Sequence, residues 1–533
     1  MNGEAGRNGD AAPAASDARP GDGSSRATAS GPLPGRLAGR TESLCPICLK
    51  VLPATLEIAG DVTLLRRVCP EHGPFDEAVW RGLPSFESWK RPKKPAAGVA
   101  VHRPAERGCP HDCGLCPEHA QRPCTILLEL TQACNLGCPV CYAASPKATS
   151  AGLHVPLDDL LAQLPYIKRQ AGRVVLQLSG GEPTLHPDLP AVAAAAARLF
   201  PAVQLNTNGL ELAARPSLAR ELAAVGLTWV FLQFDSLRDE VYQAIRGRPL
   251  TSQKLAAVEA CRAAGLPTIL TPTVVKGLND DELGDLVRYA TAQPLVRGLH
   301  FQPMTASGRT PFAGSAGRLT LPELLQALAR QTDGQVDPAE AFPPGCEHER
   351  CSFHLRYRRL ADGRLVPRPG AAPGCCSPDK FGPTASEAQD GDAGLERAVD
   401  IILRSWGPLG ASPRSGTAAS GGHEGPQASA GPSGQSGLLL PMAPPRPLDA
   451  FDEFLAQAAR ETFSLTAMAF QDAWTADLAR FRGCCVHVFD PPDRFVPFCA
   501  MNLTSADGQP LHRRPPRLAD AQAAPTAGGA VRR

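Results

Sequence analysis

Between residues 125 and 305, short runs of apolar and β-branched residues alternate with stretches of helical periodicity. The runs that predict strands are TILLEL (125–130), VVLQLS (174–179), VQLN (203–206), TWVFLQF (228–234), TILTPTVV (268–275) and GLHFQP (298–303). The stretches that predict helices cover residues 157–171, 188–199, 214–225, 252–264 and 280–292. Six β/α units in series predict an α/β fold, a partial (β/α)6 barrel of parallel strands with helices outside.

Composition divides the rest of the chain. The 533 residues include 54 Pro and 50 Gly, roughly a fifth where about 12% is usual, which indicates a folded body with disordered segments. We expect disorder in residues 1–42 and 506–533 and a flexible Gly/Ser/Pro linker at 407–447. The other predicted segments are a small metal-binding module (43–100), a cysteine segment (101–124), the barrel (125–335), a second cysteine region (336–406) and a C-terminal cluster-binding segment (448–505).

Charge and hydropathy exclude some classes of protein. The net charge of +1 offers no basic field for nucleic acid, so an RNA-modifying enzyme is not favoured. The sequence has no run of 18 apolar residues and no secretory h-region near its start, which predicts a cytoplasmic protein without a membrane span.

The cysteines carry the main chemical signal. Eighteen cysteines without an export signal predict metal ligation or catalysis rather than disulfides. Only Cys261, in a predicted helix, stands alone, and it is most simply a buried apolar side chain. The others fall into four groups: Cys45, Cys48 and Cys69; Cys109, Cys113, Cys116 and Cys124; Cys134, Cys138 and Cys141; and Cys346, Cys351, Cys375, Cys376, Cys484, Cys485 and Cys499.

The third group follows the first predicted barrel strand, with the spacing Cys134-x3-Cys138-x2-Cys141. Three thiolates on one loop can hold three irons of a [4Fe–4S] cluster and leave the fourth iron open. A structural zinc knuckle is the alternative, but it requires a fourth ligand close by, and the loop contains none. For the isolated triplet both interpretations stay open.

Other polar motifs also follow predicted strands, where the functional residues of such barrels gather. The sequence Gly-Gly-Glu-Pro begins at Gly180 after the second strand, and Asn-Thr-Asn-Gly begins at Asn206 after the third. Gln233 and Asp235 end the fourth strand. Each motif alone is weak, but three in this order on one barrel form a strong pattern.

With these motifs, residues 125–305 resemble the radical SAM superfamily. The resemblance implies that one cluster binds S-adenosylmethionine through its amino and carboxylate groups, and that one-electron reduction cleaves it to methionine and a 5′-deoxyadenosyl radical. It assigns the cluster to Cys134, Cys138 and Cys141, with Tyr142 near adenine. It assigns Gly180, Gly181 and Glu182 to the methionine end, and Asn206, Asn208, Gln233 and Asp235 to ribose or carboxylate contacts.

The two N-terminal groups predict further metal sites. Cys109, Cys113, Cys116 and Cys124 supply four thiolates, which suit either zinc or an auxiliary [4Fe–4S] cluster, and their place before the radical loop favours the cluster. The knuckles Cys45-Pro-Ile-Cys48 and Cys69-Pro-Glu-His72 resemble a rubredoxin or zinc-ribbon site for mononuclear iron or zinc. His72 is the expected fourth ligand there, although a solvated surface histidine is the alternative.

The C-terminal cysteines predict a second auxiliary cluster. Its expected ligands are Cys346, Cys351, Cys485 and Cys499, while Cys375, Cys376 and Cys484 are rivals that the spacing does not exclude. Adjacent cysteines seldom both face one site, so we expect one of each pair to be spare.

The ordered motifs, including FQDAW and VPFCAMN near the end, resemble a radical SAM group over residues 44–380 and 450–503. This group includes archaeal tetraether lipid synthase and 7,8-dihydro-6-hydroxymethylpterin dimethyltransferase-like proteins. The resemblance implies C–H activation, first of all for C–C coupling of lipid chains, with methylation of a pterin or other small molecule as the alternative. A metal-binding scaffold without catalysis is the alternative class. The implied partners are a lipid or small-molecule substrate, a ferredoxin or flavodoxin as electron donor, and peripheral contact with a membrane.

Overall fold

The structure is a computed structural model. It describes residues 35–91, 104–312, 314, 316–368, 399–400, 402–403, 405–407 and 461–514. Cys375, Cys376 and residues 408–447 of the predicted linker lie outside the described residues.

The N-terminal module is a four-stranded antiparallel sheet in the order of the chain. Its strands are β1 (Arg36–Leu44), β2 (Val51–Ala59), β3 (Val62–Cys69) and β4 (Gly73–Arg81). The prediction of disorder up to residue 42 is therefore wrong from Arg36 onward. Strand β1 pairs with β2 along its whole length, so ladder hydrogen bonds order a segment that is poor in bulky apolar residues.

The barrel strands agree with the predicted pattern. They are β5 (Thr125–Thr131), β6 (Val175–Gly180), β7 (Ala202–Thr207), β8 (Trp229–Gln233), β9 (Thr268–Thr271), β10 (Thr273–Val274) and β11 (Val296–Pro303). Strands β5 to β9 and β11 are parallel neighbours. The fifth predicted strand divides into β9 and β10 at Pro272, which has no N–H to donate to a ladder. The predicted α/β barrel of parallel strands is confirmed.

Helices connect these strands. They are α1 (Leu157–Ala171), α2 (Leu189–Leu199), α3 (Leu210–Ala214), α4 (Pro216–Ala224), α5 (Asp239–Arg246), α6 (Thr251–Ala263), α7 (Leu283–Ala292) and α8 (Leu321–Gln331). Helix α5 was not predicted, and it carries a residue that anchors the cysteine loop. No helix in the described part of the chain combines the length and the apolar character needed to cross a bilayer.

The C-terminal segment joins the barrel sheet at both edges. Its elements are β14 (Thr462–Met468), α9 (Leu478–Arg482), β15 (Val486–Asp490), β16 (Arg494–Pro497) and α10 (Phe498–Met501). The second cysteine region adds β12 (Ser352–Arg359), which pairs with β14, and β13 (Leu365–Pro367). Strand β14 pairs in parallel with β11, and β15 pairs in parallel with β5. The six parallel strands thereby become eight.

The predicted disordered tail also begins too early. Residues 506–514 are described, and Thr504 forms a β-bridge with Pro510. Arg513 donates two hydrogen bonds to the carboxylate of Glu129 on β5, at 2.7 and 3.2 Å. An ion pair with the barrel thus orders the first part of this segment.

Candidate active site and cysteine groups

The three-cysteine loop lies at the carboxyl ends of the barrel strands. Cys134, Cys138 and Cys141 all line a cavity of about 300 Å³ inside the barrel. Backbone hydrogen bonds hold both ends of the loop, and the Arg309 guanidinium donates to the carbonyls of Cys138 (2.7 Å) and Ser145 (3.1 Å). The loop is thus a fixed feature of the barrel mouth.

The surroundings of these thiols suit a metal cluster. They pack in an apolar cluster with Leu136, Leu210, Tyr242 and Leu250. Burial raises the pKa of Cys134 to about 12 and also raises that of Cys138. Buried thiols lose their protons readily only to a bound metal, and three sulfur ligands beside a cavity fit a cluster with one open iron.

The glycine motif closes against the start of the same loop. A Cβ added to Gly180, where φ is +133°, would lie 2.3 Å from the carbonyl oxygen of Thr131. A Cβ on Gly181 would lie 2.3 Å from that of Ala133. Both glycines line the cavity, so only residues without a side chain permit this close approach.

Glu182 connects the motifs rather than pointing to a ligand. Its Oε1 accepts from Thr184 Oγ1 (2.5 Å) and Thr207 Oγ1 (2.6 Å), and its Oε2 accepts from the Asn208 backbone N–H (2.7 Å). Burial raises the pKa of this carboxyl. Its carboxylate therefore ties the end of β6 to the end of β7.

Asp235 does not have the predicted place at the cavity wall. Asn206, Asn208 and Gln233 do line the cavity, but Asp235 is fully buried and accepts two hydrogen bonds of 2.8 Å from Arg246. Although burial opposes the shift, the Arg246 guanidinium lowers the pKa of Asp235. Asp235 thus holds Arg246, which in turn donates to the Val140 carbonyl in the cysteine loop at 2.9 Å.

Lys254 is a second buried cation beside the site, and the sequence did not predict it. Its Nζ donates to the Asn208 carbonyl (2.6 Å) and to Gln233 Oε1 (3.0 Å). Burial lowers its pKa to about 8. Because Lys254 takes the oxygen of the Gln233 amide, it sets the direction of a side chain that lines the cavity.

Aromatic rings from the C-terminal segment complete the wall near the cysteine loop. Tyr142 meets Phe498 edge to face with ring centroids 5.1 Å apart, and Phe498 lies 4.6 Å from Phe470. All three line the cavity. The VPFCAMN motif was noted for its cysteine, while its phenylalanine faces the site.

The N-terminal module brings Cys45, Cys48, Cys69 and His72 together. One ligand atom from each residue lies within 4.8 Å of all the others. His72 Nδ1 is 3.5 Å from the sulfur of Cys45 and 3.4 Å from that of Cys69. Three sulfurs and one imidazole nitrogen fit a tetrahedral mononuclear zinc or iron ion.

Cys124 does not join the group in which the spacing placed it. Its sulfur lies within 4.8 Å of those of Cys346 and Cys485, and the Cys124–Cys485 separation is 2.9 Å. Cys124 immediately precedes β5 and Cys485 immediately precedes β15, so the pairing of these two strands brings the cysteines together. All three are buried, and three sulfurs again suit a cluster with an open position.

The remaining cysteines divide differently from the prediction. The Cys109 thiol and burial raise the pKa of Cys113, with smaller effects from Cys116 and Cys484. Cys351 and Cys499 are absent from the group formed by Cys124, Cys346 and Cys485, although the prediction combined them with the last two. Instead, Arg480 Nε donates to the Cys351 sulfur at 3.3 Å, and the Gln471 N–H donates to the Cys499 sulfur at 3.3 Å.

Comparison with known proteins gives two family matches. The radical SAM superfamily model matches residues 128–290, and a model described as the HMPTM N-terminal zinc ribbon domain matches residues 37–81. The second match agrees with the four-ligand site in the N-terminal module.

Individual proteins are similar over longer stretches. The chain is 28% identical over 508 residues to 7,8-dihydro-6-hydroxymethylpterin dimethyltransferase of Methanocaldococcus jannaschii, covering 89% of this chain and 94% of that protein. It is 33% identical over 272 residues to GTP 3′,8-cyclase of Paenarthrobacter nicotinovorans, covering 49% and 72% respectively. Among solved structures, Streptococcus suis SuiB bound to its precursor peptide SuiA matches with a TM-score of 0.35 and 16% identity, covering 42% of this chain and 48% of that chain.

The matched region contains the three-cysteine loop and the strand-end motifs that line the barrel cavity. The cyclase exceeds 30% identity over most of its own length. The chain therefore belongs to the radical SAM superfamily, whose enzymes use a [4Fe–4S] cluster and S-adenosylmethionine.

Proposed function

We propose that this protein is a radical SAM methyltransferase that acts on a small, polar heteroaromatic substrate of the pterin class. The cluster and one S-adenosylmethionine, when bound, would supply the one-electron chemistry that removes a hydrogen atom, and a second S-adenosylmethionine would supply the methyl group. The barrel binds and orients the substrate. Cys134, Cys138 and Cys141 would hold the cluster, with Gly180 and Gly181 beside S-adenosylmethionine. The observation that carries the proposal is a set of oriented amide and imidazole side chains across the barrel cavity.

Hydrogen bonds to other protein groups fix the orientation of the amide side chains. Asn206 Nδ2 donates to Gln177 Oε1 at 2.9 Å, and Gln204 Nε2 donates to Asn206 Oδ1 at 2.5 Å. Trp229 Nε1 completes the chain by donating to Gln204 Oε1 at 2.8 Å. Such a network gives the cavity donors and acceptors in fixed directions, which suits a ligand with a hydrogen-bonding edge.

Flat apolar surfaces accompany these polar groups. The Phe231 ring lies 5.6 Å from the His300 ring and 5.2 Å from that of Trp406, and all three line the cavity. Gln302 lines it as well. Aromatic faces combined with amide edges suit a planar bicyclic ring that stacks and forms hydrogen bonds.

A hydrocarbon chain fits this cavity less well. It has no hydrogen-bonding group to offer the amide side chains that line the cavity, whereas a ligand with a polar edge can use them. A volume of about 300 Å³ is also at the small end of the range for ligand pockets. These points favour pterin methylation over the lipid coupling that we expected first, and the similarity to the Methanocaldococcus jannaschii enzyme supports the same choice.

The proposed reaction requires single electrons from a partner. We expect a ferredoxin or flavodoxin to deliver them. Peripheral membrane contact was expected for a lipid substrate, and a pterin does not require it.

The test is a turnover assay with anaerobically reconstituted protein, S-adenosylmethionine and dithionite. Parallel reactions contain 7,8-dihydro-6-hydroxymethylpterin, an isoprenoid lipid extract or no substrate, and mass spectrometry follows 5′-deoxyadenosine and methylated pterin. We expect both products with the pterin, and neither from Cys138→Ala, which lacks one cluster ligand. Coupled lipid chains with no methylated pterin would refute the proposal.

A further inference from the structure

His300 is a buried histidine on the wall of the barrel cavity, and one of its two ring nitrogens has no role in the contacts described above. It lies on β11, lines the cavity and is only 8% exposed. Its Nδ1 lies 2.8 Å from Thr466 Oγ1 on β14. In the described part of the chain, its Nε2 has no hydrogen-bond partner. The protein therefore holds one nitrogen and leaves the other to a ligand.

Thr466 determines which of the two nitrogens carries the proton. The parallel pairing of β11 with β14 places Thr466 opposite His300. Thr466 Oγ1 donates to the Leu299 carbonyl oxygen at 3.3 Å, so the single proton of the hydroxyl is engaged. The hydroxyl oxygen then accepts from Nδ1–H. In this tautomer Nε2 carries a lone pair and acts as an acceptor.

The surroundings of the imidazole keep it neutral and fix its orientation. Burial lowers the pKa of His300 to about 4, and His354 adds to the lowering while Glu347 opposes it. The ring also packs against that of Phe231, with centroids 5.6 Å apart. At neutral pH the cavity wall therefore presents an uncharged nitrogen acceptor at this point.

The amides across the cavity present donors instead. Gln177 Oε1 accepts from Asn206 Nδ2 at 2.9 Å. Gln233 Oε1 accepts from Lys254 Nζ at 3.0 Å. Because these oxygens are engaged, the NH2 groups of the two glutamines are the ends that a ligand meets. A well-matched ligand brings acceptors to the amides and a donor to His300.

A pterin ring has both kinds of group. Its ring nitrogens and carbonyl oxygen are acceptors, while its ring N–H and amino group are donors. A buried acceptor without a donor is unfavourable, so a ligand that supplies one gains affinity over a ligand that does not.

We propose that His300, with its tautomer fixed by Thr466, accepts a hydrogen bond at Nε2 from an N–H of the substrate ring or of its amino substituent, and thereby selects for substrates with such a donor. This inference rests on the proposed function, because it names the group that recognises a pterin in the cavity. It also assigns a polar role to a histidine that the strand pattern of the sequence did not single out.

Replacing His300 by phenylalanine isolates the acceptor. His300→Phe keeps a flat ring that can pack against Phe231, but it has no nitrogen to accept a hydrogen bond. Ligands with N–H donors should lose affinity for this variant, whereas ligands without such donors should not. A merely structural role of His300 predicts instead that both kinds of ligand lose affinity together.

The experiment is an equilibrium fluorescence titration of the full, anaerobically reconstituted protein without reductant. The probes are 6-hydroxymethylpterin and 6-hydroxymethyl-1,3-dimethyllumazine, whose rings carry N–H donors and no N–H donors respectively. Their own fluorescence reports binding independently of turnover. We expect wild-type protein to bind the pterin about ten- to a hundredfold more tightly than the lumazine. His300→Phe should lose most of this preference through weaker binding of the pterin, with affinity for the lumazine unchanged.

The matched control is His154→Phe. His154 makes the same kind of contact, since its Nδ1 lies 2.9 Å from Thr131 Oγ1, which donates to the Leu153 carbonyl oxygen at 3.0 Å. His154 is not among the residues that line the barrel cavity. The control should therefore keep the wild-type preference.

Three results would overturn the inference. A wild-type preference retained in His300→Phe, or an equal loss of affinity for both probes, overturns it and leaves the proposed function standing. Wild-type protein that binds neither probe overturns the proposed function, and the inference with it.

A second variant covers the case in which His300→Phe does not fold. Thr466→Val keeps the shape of the side chain but removes the hydroxyl that fixes the tautomer of His300. We expect a preference for the pterin between those of wild type and His300→Phe. A preference equal to that of wild type in Thr466→Val also overturns the inference.

Discussion

At the scale of single residues, buried charges support the side chains and the loop that line the barrel cavity. Arg246 joins Asp235 on one side and the Val140 carbonyl of the cysteine loop on the other. Lys254 fixes the amide of Gln233 in the same way. The sequence suggested a ribose or carboxylate contact for Asp235, whereas in the structure Asp235 is buried and supports Arg246.

Replacing Arg246 tests this support. Arg246→Gln leaves the fully buried Asp235 carboxylate without its partner, so the free energy of unfolding should fall by about 3–5 kcal/mol. Adding Asp235→Asn should restore part of the loss, because the uncompensated charge is then gone. Urea denaturation followed by circular dichroism measures both effects.

The control for this prediction is Arg262→Gln, which breaks an exposed pair with Glu259. It should change the free energy of unfolding by less than about 1 kcal/mol. Equal losses in the two arginine variants would contradict a special role for Arg246.

At the scale of elements, strand pairing decides which cysteines meet. Cys124 lies 361 residues from Cys485 along the chain, yet the two precede neighbouring parallel strands, β5 and β15. Short spacing instead suggested a group of Cys124 with Cys109, Cys113 and Cys116. The spacing of cysteines in the sequence identifies ligands that share one loop. It cannot identify ligands on strands that become neighbours only in the folded sheet.

Iron content tests the revised grouping. Cys124→Ala and Cys485→Ala should each lose the same cluster, about four irons per chain, and the double variant should lose no more than either single one. Cys124→Ala combined with Cys109→Ala should lose about twice as much, because these cysteines belong to different groups. Iron and sulfide analysis of anaerobically purified protein measures the losses.

Cys261→Ala is the control here, because Cys261 is buried in helix α6 away from the cysteine groups. Its iron content should equal that of the unsubstituted protein. Additive losses for Cys124→Ala and Cys485→Ala would contradict their common group.

At the scale of the whole molecule, the N-terminal module and the C-terminal segment pack together through buried polar contacts. Arg318 forms ion pairs with Glu77 on β4 and with Asp472 in the loop after β14, and all three are at least nine-tenths shielded from solvent. Arg67 on β3 donates to the carbonyls of Ala473 (3.4 Å) and Trp474 (2.7 Å). The FQDAW motif thus forms part of the surface against which the four-stranded module packs.

Removing Arg318 should weaken the packing of the N-terminal module against the rest of the protein. Arg318→Met leaves Glu77 and Asp472 buried without their common cation, so docking of the module should weaken by about 3–5 kcal/mol. Amide hydrogen exchange in β1–β4 should become faster, while total iron stays unchanged. Arg364→Met, which breaks an exposed pair with Asp362, should leave the exchange rates unaltered. Unchanged amide hydrogen exchange in Arg318→Met would contradict the proposed role of Arg318 in holding the module.

The sequence by itself determined the order of the barrel strands and most of the helices between them, because strand and helix periodicities are local properties of the chain. It also located the three-cysteine loop and the glycine motif, whose chemistry depends on short spacings within single loops. The segment from Arg36 was misjudged because its order comes from pairing with β2 and not from its own composition.

Only the tertiary structure decided how distant parts of the chain complete the site. Pairing of β14 and β15 with the edges of the barrel brings Cys485 to Cys124 and places Phe498 beside Tyr142. These contacts join residues hundreds of positions apart, and their energies come from burial and pairing that exist only when the whole sheet has formed.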